Sequence, residues 1–211
     1  MVAVRILGVD PGTMVAGFGC LELVDSSAAA RELPIALRAA NTMMIAGRSD
    51  LRVVEAGVMR LGRRGDTVAE RLGELAVAFA ALLDRLQPRE VALEEAFAGK
   101  SIQSALRIGE ARGVVLAESA RRGLVVHQFP PARVKRCVAG TGAARKETVA
   151  AMLAQQLPGA AAIAEAWPED ATDALAVALT RAEERRSPLV QAAAVASALD
   201  PGTPIRWRRR R

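Results

Sequence analysis

The chain has 211 residues, of which 51% are hydrophobic, and this is enough to form the packed core of one ordinary domain. No charge-free apolar run approaches the roughly 18 residues of a membrane-spanning helix, and the N-terminus lacks the segments of a signal peptide. We therefore expect a cytoplasmic protein without a membrane partner. Cys20 and Cys137 have neither CxxC nor histidine spacing, which argues against a disulfide framework or a zinc site.

The formal net charge of +6 is concentrated at the C-terminus, where five of the last six residues are arginine. Without those six residues the net charge is +1, so any basic surface on the folded body must be local. Basic residues cluster at 100–122 and at 133–146, and either cluster could follow a phosphate backbone. The candidates for DNA contact in these clusters are Lys100, Arg133, Lys135 and Lys146.

The first predicted elements are three strands. Residues 4–10 have the pattern of a buried strand, and the turn Pro11-Gly12-Thr13 joins them to a second strand at 14–24. Residues 51–61 form the third strand. Residues 25–50 are less periodic, and we interpret them as a long excursion between the second and third strands.

Helices and strands alternate in the rest of the chain. A capping box at Thr67 and Glu70 begins a helix whose apolar residues recur at three–four spacing, and Gln87-Pro88 ends it. Further elements are predicted in chain order: a strand at 90–95, a helix at 101–122, a strand at 124–129, and helices at 131–138, 146–157 and 169–186.

This element order is typical of a mixed α/β fold. Three antiparallel strands are followed by strands separated by helices, which predicts one mixed central sheet flanked by helices. We expect a single domain at 1–186. The Ala-rich, Arg-ended segment at 187–211 is predicted to be a basic, disordered tail.

Four carboxylates lie where predicted elements begin or end. Asp10 ends the first strand, Glu94 ends the fourth, and Asp170 and Asp173 share one side of the last helix near its start. Carboxylates gathered in one site repel each other, and a hard divalent cation relieves that repulsion. Oxygen ligands without histidine or cysteine favour Mg²⁺ or Mn²⁺, and two such ions can promote hydrolysis of a phosphodiester.

Each carboxylate also has a simpler interpretation. Asp10 could cap the turn at Thr13, Glu94 could face solvent, and Asp170 and Asp173 could be ordinary acids in the first turn of a helix. The presence of all four favours a metal site. Which of Asp170 and Asp173 contacts the metal directly stays open.

Five segments together resemble the RuvC family of bacterial Holliday junction resolvases. In chain order they are ILGVDPGTMVAGFG, LEEAF, ALRIGEARGVV, RVKRCVAGTGAARKETV and DATDALAVALT. They lie in the family's order within residues 4–182. The Asp-x-Gly-Thr motif of the first segment also occurs in actin-like ATPases and sugar kinases. Those proteins need two sizeable lobes and a second phosphate loop, for which 211 residues barely leave room.

The resemblance implies an RNase H-like fold, a homodimer and Mg²⁺-dependent, paired, symmetric nicking of four-way DNA junctions during recombination and repair. By matching position, Asp10, Glu94, Asp170 and Asp173 would be the catalytic carboxylates and would hold two ions per site. Lys146 would offset negative charge on the reacting phosphate. The branch-migration proteins RuvA and RuvB are implied partners.

The resemblance also implies residues that contact DNA. Phe97 matches an aromatic residue that family members place against junction bases, and Lys135 and Lys146 match basic positions near the scissile phosphate. A single aromatic residue is more often part of the core, and the lysines could be solvated helix charges. The chain departs from the family at Glu95, where glutamine is common, in the length of residues 25–50, and at 187–211.

The predicted function is therefore a metal-dependent, structure-selective endonuclease that resolves Holliday junctions. Two alternatives remain. One is another RNase H-like nuclease with a different nucleic-acid substrate, and the other is a junction-binding protein that does not cleave. His127, the only histidine, lies in a predicted strand, and we interpret it as structural rather than as a general base.

Overall fold

The computed structural model describes residues 3–24, 50–63, 65–95, 101–157 and 167–187. The strands in these ranges are β1 (Ala3–Asp10), β2 (Val15–Val24), β3 (Leu51–Arg60), β4 (Glu90–Glu94) and β5 (Val125–Phe129). The helices are α1 (Val68–Leu86), α2 (Ile102–Arg121), α3 (Pro131–Ala139), α4 (Lys146–Gln156) and α5 (Glu169–Arg186).

The five strands form one mixed sheet in the order β3-β2-β1-β4-β5. β2 pairs antiparallel with both β1 and β3, whereas β4 pairs parallel with β1 and with β5. Val9 lies opposite Leu93 in the β1–β4 register. The carboxyl ends of β1 and β4 therefore meet at one edge of the sheet and bring Asp10 and Glu94 side by side.

The two faces of the sheet carry different helices. Because side chains alternate along a strand, Ile6 and Leu21 enter a core shared with α3, α4 and α5. Leu7 and Val9 enter the opposite core, which packs against α1 and α2. The sheet is thus covered on both faces, and the predicted mixed α/β architecture is confirmed.

Glycines let α5 approach the sheet closely. A Cβ atom at Gly8 would lie 2.0 Å from the carbonyl oxygen of Ala174, and one at Gly17 would lie 1.9 Å from that of Asp170. Neither distance is possible for real atoms, so both positions require glycine while the helix keeps this place. The N-terminal turn of α5 consequently rests directly on β2, and the following turns of α5 rest on β1.

The local signals in the sequence correspond to observed contacts. Thr67 Oγ1 accepts a hydrogen bond from the Glu70 backbone N–H at 3.3 Å, and Glu70 Oε2 accepts one from the Thr67 backbone N–H at 2.7 Å. α1 ends at Leu86, and the C-cap residue Gln87 has a φ of 48°. The predicted excursion at 25–50, except Asp50, and the predicted tail from 188 onward lie outside the described residues.

No helix in the described part of the chain combines the length and the hydropathy needed to cross a bilayer.

Candidate active site

The strand alternation directs Asp10 and Glu94 to the face that α5 covers. Asp10 follows Ile6 and Gly8 on this face of β1, and Glu94 follows Ala92 on the same face of β4. Asp10 also lies opposite Gly17 in the β1–β2 register, at the point where α5 begins. The acidic ends of two strands and the start of a helix therefore meet at one place.

The electrostatics of Asp10 show that the four predicted carboxylates share this site. The pKa of Asp10 is raised to about 7, chiefly by burial and then by the negative charges of Asp173, Glu94 and Asp170, whereas Lys146 acts in the opposite direction. Burial and the charge of Asp173 also raise the pKa of Glu94. The structure thus brings together all four carboxylates that the sequence singled out.

Lys146 supplies positive charge to the cluster from the first position of α4. Its Nζ donates a hydrogen bond to Asp173 Oδ2 at 3.2 Å and another to Glu169 Oε1. The bond to Glu169 is the main cause of the raised pKa of Lys146. Burial raises the pKa of Asp173, and Lys146 opposes this effect. One ammonium group only partly offsets the negative charge of the site.

The donor set suits a hard divalent cation. Its carboxylate oxygens, together with an Asp10 carboxyl that is costly to ionise without a nearby cation, match the preferences of Mg²⁺ and Mn²⁺. Within the described ranges, however, no group of three or more acidic, histidine or cysteine side chains is arranged to hold an ion as the side chains stand.

The residues predicted to contact DNA have different surroundings. Lys135, on α3, is near enough to the site for its charge to lower the pKa of Glu94. Arg133 is engaged within the protein, since its Nη2 lies 2.7 Å from Glu184 Oε1 and its guanidinium lies 5.2 Å from the centre of the Phe129 ring. Phe97 and Lys100 lie outside the described residues.

Two charged residues beside the site were not among the site residues predicted from the sequence. Glu169 pairs with Lys146, and its only sequence signal is its place directly before Asp170. Arg112 is buried on α2, where its Nη2 donates to Gln128 Oε1 at 2.5 Å and its charge acts on Glu95 and Glu94. The only sequence signal for Arg112 was its place among the basic residues at 100–122.

A separate ionic network ties the start of β4 to the C-terminal half of α5. Arg181 Nε donates to Glu90 Oε2 at 2.7 Å, and Arg185 pairs with the other oxygen of Glu90. His127 Nε2 lies 3.5 Å from Glu90 Oε2. His127 lies opposite Ala92 in the β4–β5 register, and its side chain is directed to this network rather than to Glu94.

Comparison with known proteins identifies relatives across most of the chain. The family model described as crossover junction endodeoxyribonuclease RuvC matches residues 36–181. The RuvC of Halorhodospira halophila is 37% identical over 188 residues, which cover 89% of this chain and 95% of the relative. The RuvC of Acidiphilium cryptum is 39% identical over 178 residues, which cover 84% and 90%.

Solved structures give the same result for the fold. The T. thermophilus RuvC in complex with Holliday junction substrate has a TM-score of 0.66 at 28% identity and covers 87% of this chain and 95% of its own. The yeast mitochondrial Holliday junction resolvase Ydc2, at 13% identity and a TM-score of 0.53, covers 84% and 78% and shares the fold. With the family model matching well over half of its residues and curated relatives matching most of its length, the chain belongs to the RuvC family of crossover junction endodeoxyribonucleases.

Proposed function

We propose that this chain is a metal-dependent endonuclease that resolves Holliday junctions by paired symmetric nicks during recombination and repair. The observation that carries the proposal is the meeting of Asp10, Glu94 and Asp173 at one edge of the sheet, in a chain whose curated relatives are crossover junction endodeoxyribonucleases. A similar structure contains a Holliday junction substrate, which supports a four-way junction as the DNA partner.

In this proposal Asp10, Glu94, Asp170 and Asp173 hold two Mg²⁺ ions, for which Mn²⁺ can substitute. When bound, such ions supply activation of the attacking water and stabilisation of the departing 3′ oxygen. The charges of the other three carboxylates all act on Asp10, so Asp10 would be the central member of the ligand set when the ions bind. The sheet and the glycine-supported start of α5 hold the carboxylates in place before substrate arrives.

The basic residues contribute to binding and to charge stabilisation. Lys146, already paired with Asp173, would offset the negative charge that builds on the reacting phosphate. Lys135 would hold the DNA backbone close to Glu94. Phe97, Lys100 and Arg133 remain predicted DNA contacts, and for Arg133 the contact would compete with its pairing to Glu184.

We further propose a homodimer, because paired nicks on opposite strands require two acidic sites and the described part of one chain supplies one. The nuclease domain would be 1–186, with 187–211 as a basic tail. RuvA and RuvB are the proposed branch-migration partners, and the cytoplasm is the proposed location.

A cleavage assay tests this function. A synthetic four-way junction and a linear duplex of matched sequence are incubated with the wild type or Asp10→Asn, in Mg²⁺ or in EDTA. We expect paired symmetric nicks on the junction alone, lost in EDTA and in Asp10→Asn, while the variant still binds the junction. Full activity of Asp10→Asn would contradict the proposal.

The same assay separates the alternatives. Tight junction binding by the wild type without nicks in either metal would favour the binding-only protein. Equal cutting of the junction and the duplex would favour another RNase H-like nuclease with a different substrate.

A further inference from the structure

Lys146 contacts both the acidic site and the exposed Glu169 beside it, which we call the rim of the site. Its Nζ contacts two carboxylates of α5, those of Asp173 and Glu169. The side chain of Asp173 is 27% exposed and that of Glu169 is 66% exposed. One ammonium group therefore contacts a predicted metal ligand on one side and an acid outside the predicted ligand set on the other.

This arrangement creates a competition at Asp173. A cation bound by Asp173 would repel an ammonium group on the same carboxylate, because like charges a few ångströms apart interact strongly in a partly buried site. A lysine paired with Asp173 alone would have to leave the site or weaken metal binding. Glu169 lies one helical turn from Asp173 on the same side of α5, so Lys146 has a second partner within reach.

Building on the proposed nuclease site, we propose that Glu169 is a positioning residue for Lys146. It holds the ammonium at the rim when Asp173 binds metal, which prevents competition with the ion and keeps the positive charge beside the reacting phosphate. An exposed ion pair contributes little to folding stability. The effect of Glu169 is therefore expected in metal affinity and lysine position rather than in the fold.

Metal binding in the absence of DNA gives the first test. Mg²⁺ affinity is measured by titration calorimetry for the wild type, Glu169→Gln, Lys146→Met and the double variant. We expect Glu169→Gln to weaken Mg²⁺ binding about threefold and to have a much smaller effect once Lys146 is methionine, when only the direct charge of Glu169 near Asp173 is lost. An equal loss in both backgrounds would mean that Glu169 acts only through its own negative charge, and this result would overturn the proposal.

Two further variants sharpen this measurement. Glu147→Gln removes an exposed acid in the first turn of α4 and should leave Mg²⁺ affinity at the wild-type value. Glu169→Asp keeps the charge and should recover part of the affinity lost in Glu169→Gln. A loss in Glu147→Gln as large as that in Glu169→Gln would contradict a specific role for Glu169.

Lysine NMR gives a second readout that does not depend on cleavage. The chain has only three lysines, so ¹⁵N-lysine labelling yields few ammonium signals, and Lys146→Met identifies the one of interest. We expect the Lys146 signal to shift but persist when Mg²⁺ is added to the wild type, and to disappear in Glu169→Gln. Loss of the signal in both proteins would overturn the proposal.

The outcomes distinguish this inference from the proposed function. A wild type that binds Mg²⁺ and nicks junctions, but shows no coupling between Glu169 and Lys146, would contradict the positioning role alone. A wild type that neither binds Mg²⁺ nor nicks junctions would contradict the nuclease function, and the positioning role with it.

Discussion

At the scale of single residues, Asp10 has a carboxyl group whose ionised form is disfavoured by burial and by neighbouring negative charges. Its pKa is raised from 3.8 to about 7, first by burial and then by the neighbouring carboxylates. Between these pH values the folded protein binds more protons at Asp10 than the unfolded chain does. The contribution of Asp10 to the free energy of unfolding in the absence of metal therefore falls as the pH rises from about 4 to about 7.

Replacing Asp10 by asparagine should stabilise the metal-free protein. The raised pKa corresponds to a cost of up to about 4 kcal/mol for ionised Asp10 above pH 7, and asparagine removes that cost. We expect urea unfolding in EDTA to show Asp10→Asn as more stable than the wild type at pH 8, with the difference largely gone at pH 4.5. The same difference at both pH values would show that ionisation is not its cause.

Mg²⁺ provides the control for this prediction. An ion that binds only the folded state adds stability in proportion to its affinity, so the wild type should gain stability at pH 8 when Mg²⁺ replaces EDTA. Asp10→Asn, which lacks a proposed ligand, should gain much less. The stability advantage of the variant is then expected to shrink or reverse.

The sequence allowed prediction of the site residues that end or begin regular elements. Asp10, Glu94 and Asp173 stand out because a carboxylate at the end of a buried strand or the start of a helix has a definite position relative to the core. Glu169 and Arg112 could not be identified in this way, because in sequence they resemble ordinary helix charges. Only the packing of α4 and α2 around the sheet shows which charged groups they meet.

At the scale of elements, the placement of α5 depends on the absence of side chains beneath it. Gly17 lies under the Asp170 backbone, so a side chain there must push away the turn that carries the proposed metal ligands. Backbone atoms cannot rotate aside as the end of a flexible side chain can. Packing at this position therefore determines both stability and the geometry of the site.

Gly17→Ala should lower the free energy of unfolding by about 2 kcal/mol, the usual cost of overpacking. It should also reduce the cleavage rate of the folded protein, because the added methyl group displaces the proposed metal ligands. The measurement is single-turnover junction cleavage at a temperature where urea unfolding shows the variant to be fully folded. Wild-type cleavage in a folded Gly17→Ala protein would contradict the role assigned to this contact.

Gly73 provides a matched control for that substitution. It lies within α1, and apart from the helix itself no atom lies within 4 Å of a Cβ atom built there. Gly73→Ala should raise the free energy of unfolding by up to about 1 kcal/mol, because alanine favours the helix over the unfolded chain. Its cleavage rate should match that of the wild type.

The ionic network on Glu90 connects elements far apart in sequence. Burial acts to raise the pKa of Glu90, but the hydrogen bond from Arg181 and the charges of Arg181 and Arg185 outweigh burial and lower it. A carboxyl group with a lowered pKa contributes stability that is present above the unfolded pKa and is lost as the pH falls. This network therefore favours the fold at neutral pH.

Glu90→Leu should destabilise the protein by about 3 kcal/mol, because it leaves the buried Arg181 guanidinium without its main partner. The double variant Glu90→Leu/Arg181→Met should recover part of this loss in urea unfolding at pH 7. If the double variant were as unstable as the sum of the two single variants, the two side chains would not be coupled in the way the contact indicates.

At the scale of the whole molecule, the sequence predicted which elements exist and that the first three strands are antiparallel, but it did not predict the order of all five strands. The apolar spacing of residues 68–86 and the Thr67 capping box are local signals, and they located α1 to within a residue. The strand order β3-β2-β1-β4-β5 depends on contacts between segments that are distant in sequence. Local patterns in a single sequence do not predict such contacts. The resemblance to a known family implied the overall fold, and the glycine contacts under α5 explain how this chain achieves it.

The distribution of charge over the whole chain predicts how its C-terminal segment contributes. α5 ends at Arg186, and the five terminal arginines carry most of the net charge. Deletion of residues 188–211 should leave urea unfolding and junction cleavage at low salt unchanged, because the proposed site lies within β1, β4, α4 and α5. The junction affinity of the deletion variant should fall less steeply with increasing salt concentration than that of the full chain, because the variant neutralises fewer phosphates.

The expected change can be measured as the slope of log Kd against log salt concentration. Each phosphate neutralised contributes about 0.9 to this slope, so the loss of five arginines should reduce its magnitude by up to about 4.5. A full-length variant with the five terminal arginines replaced by glutamine separates charge from length and should behave like the deletion. An unchanged slope in both proteins would identify the segment as a solvated tail, whereas loss of folding in the deletion would place the domain boundary beyond residue 186.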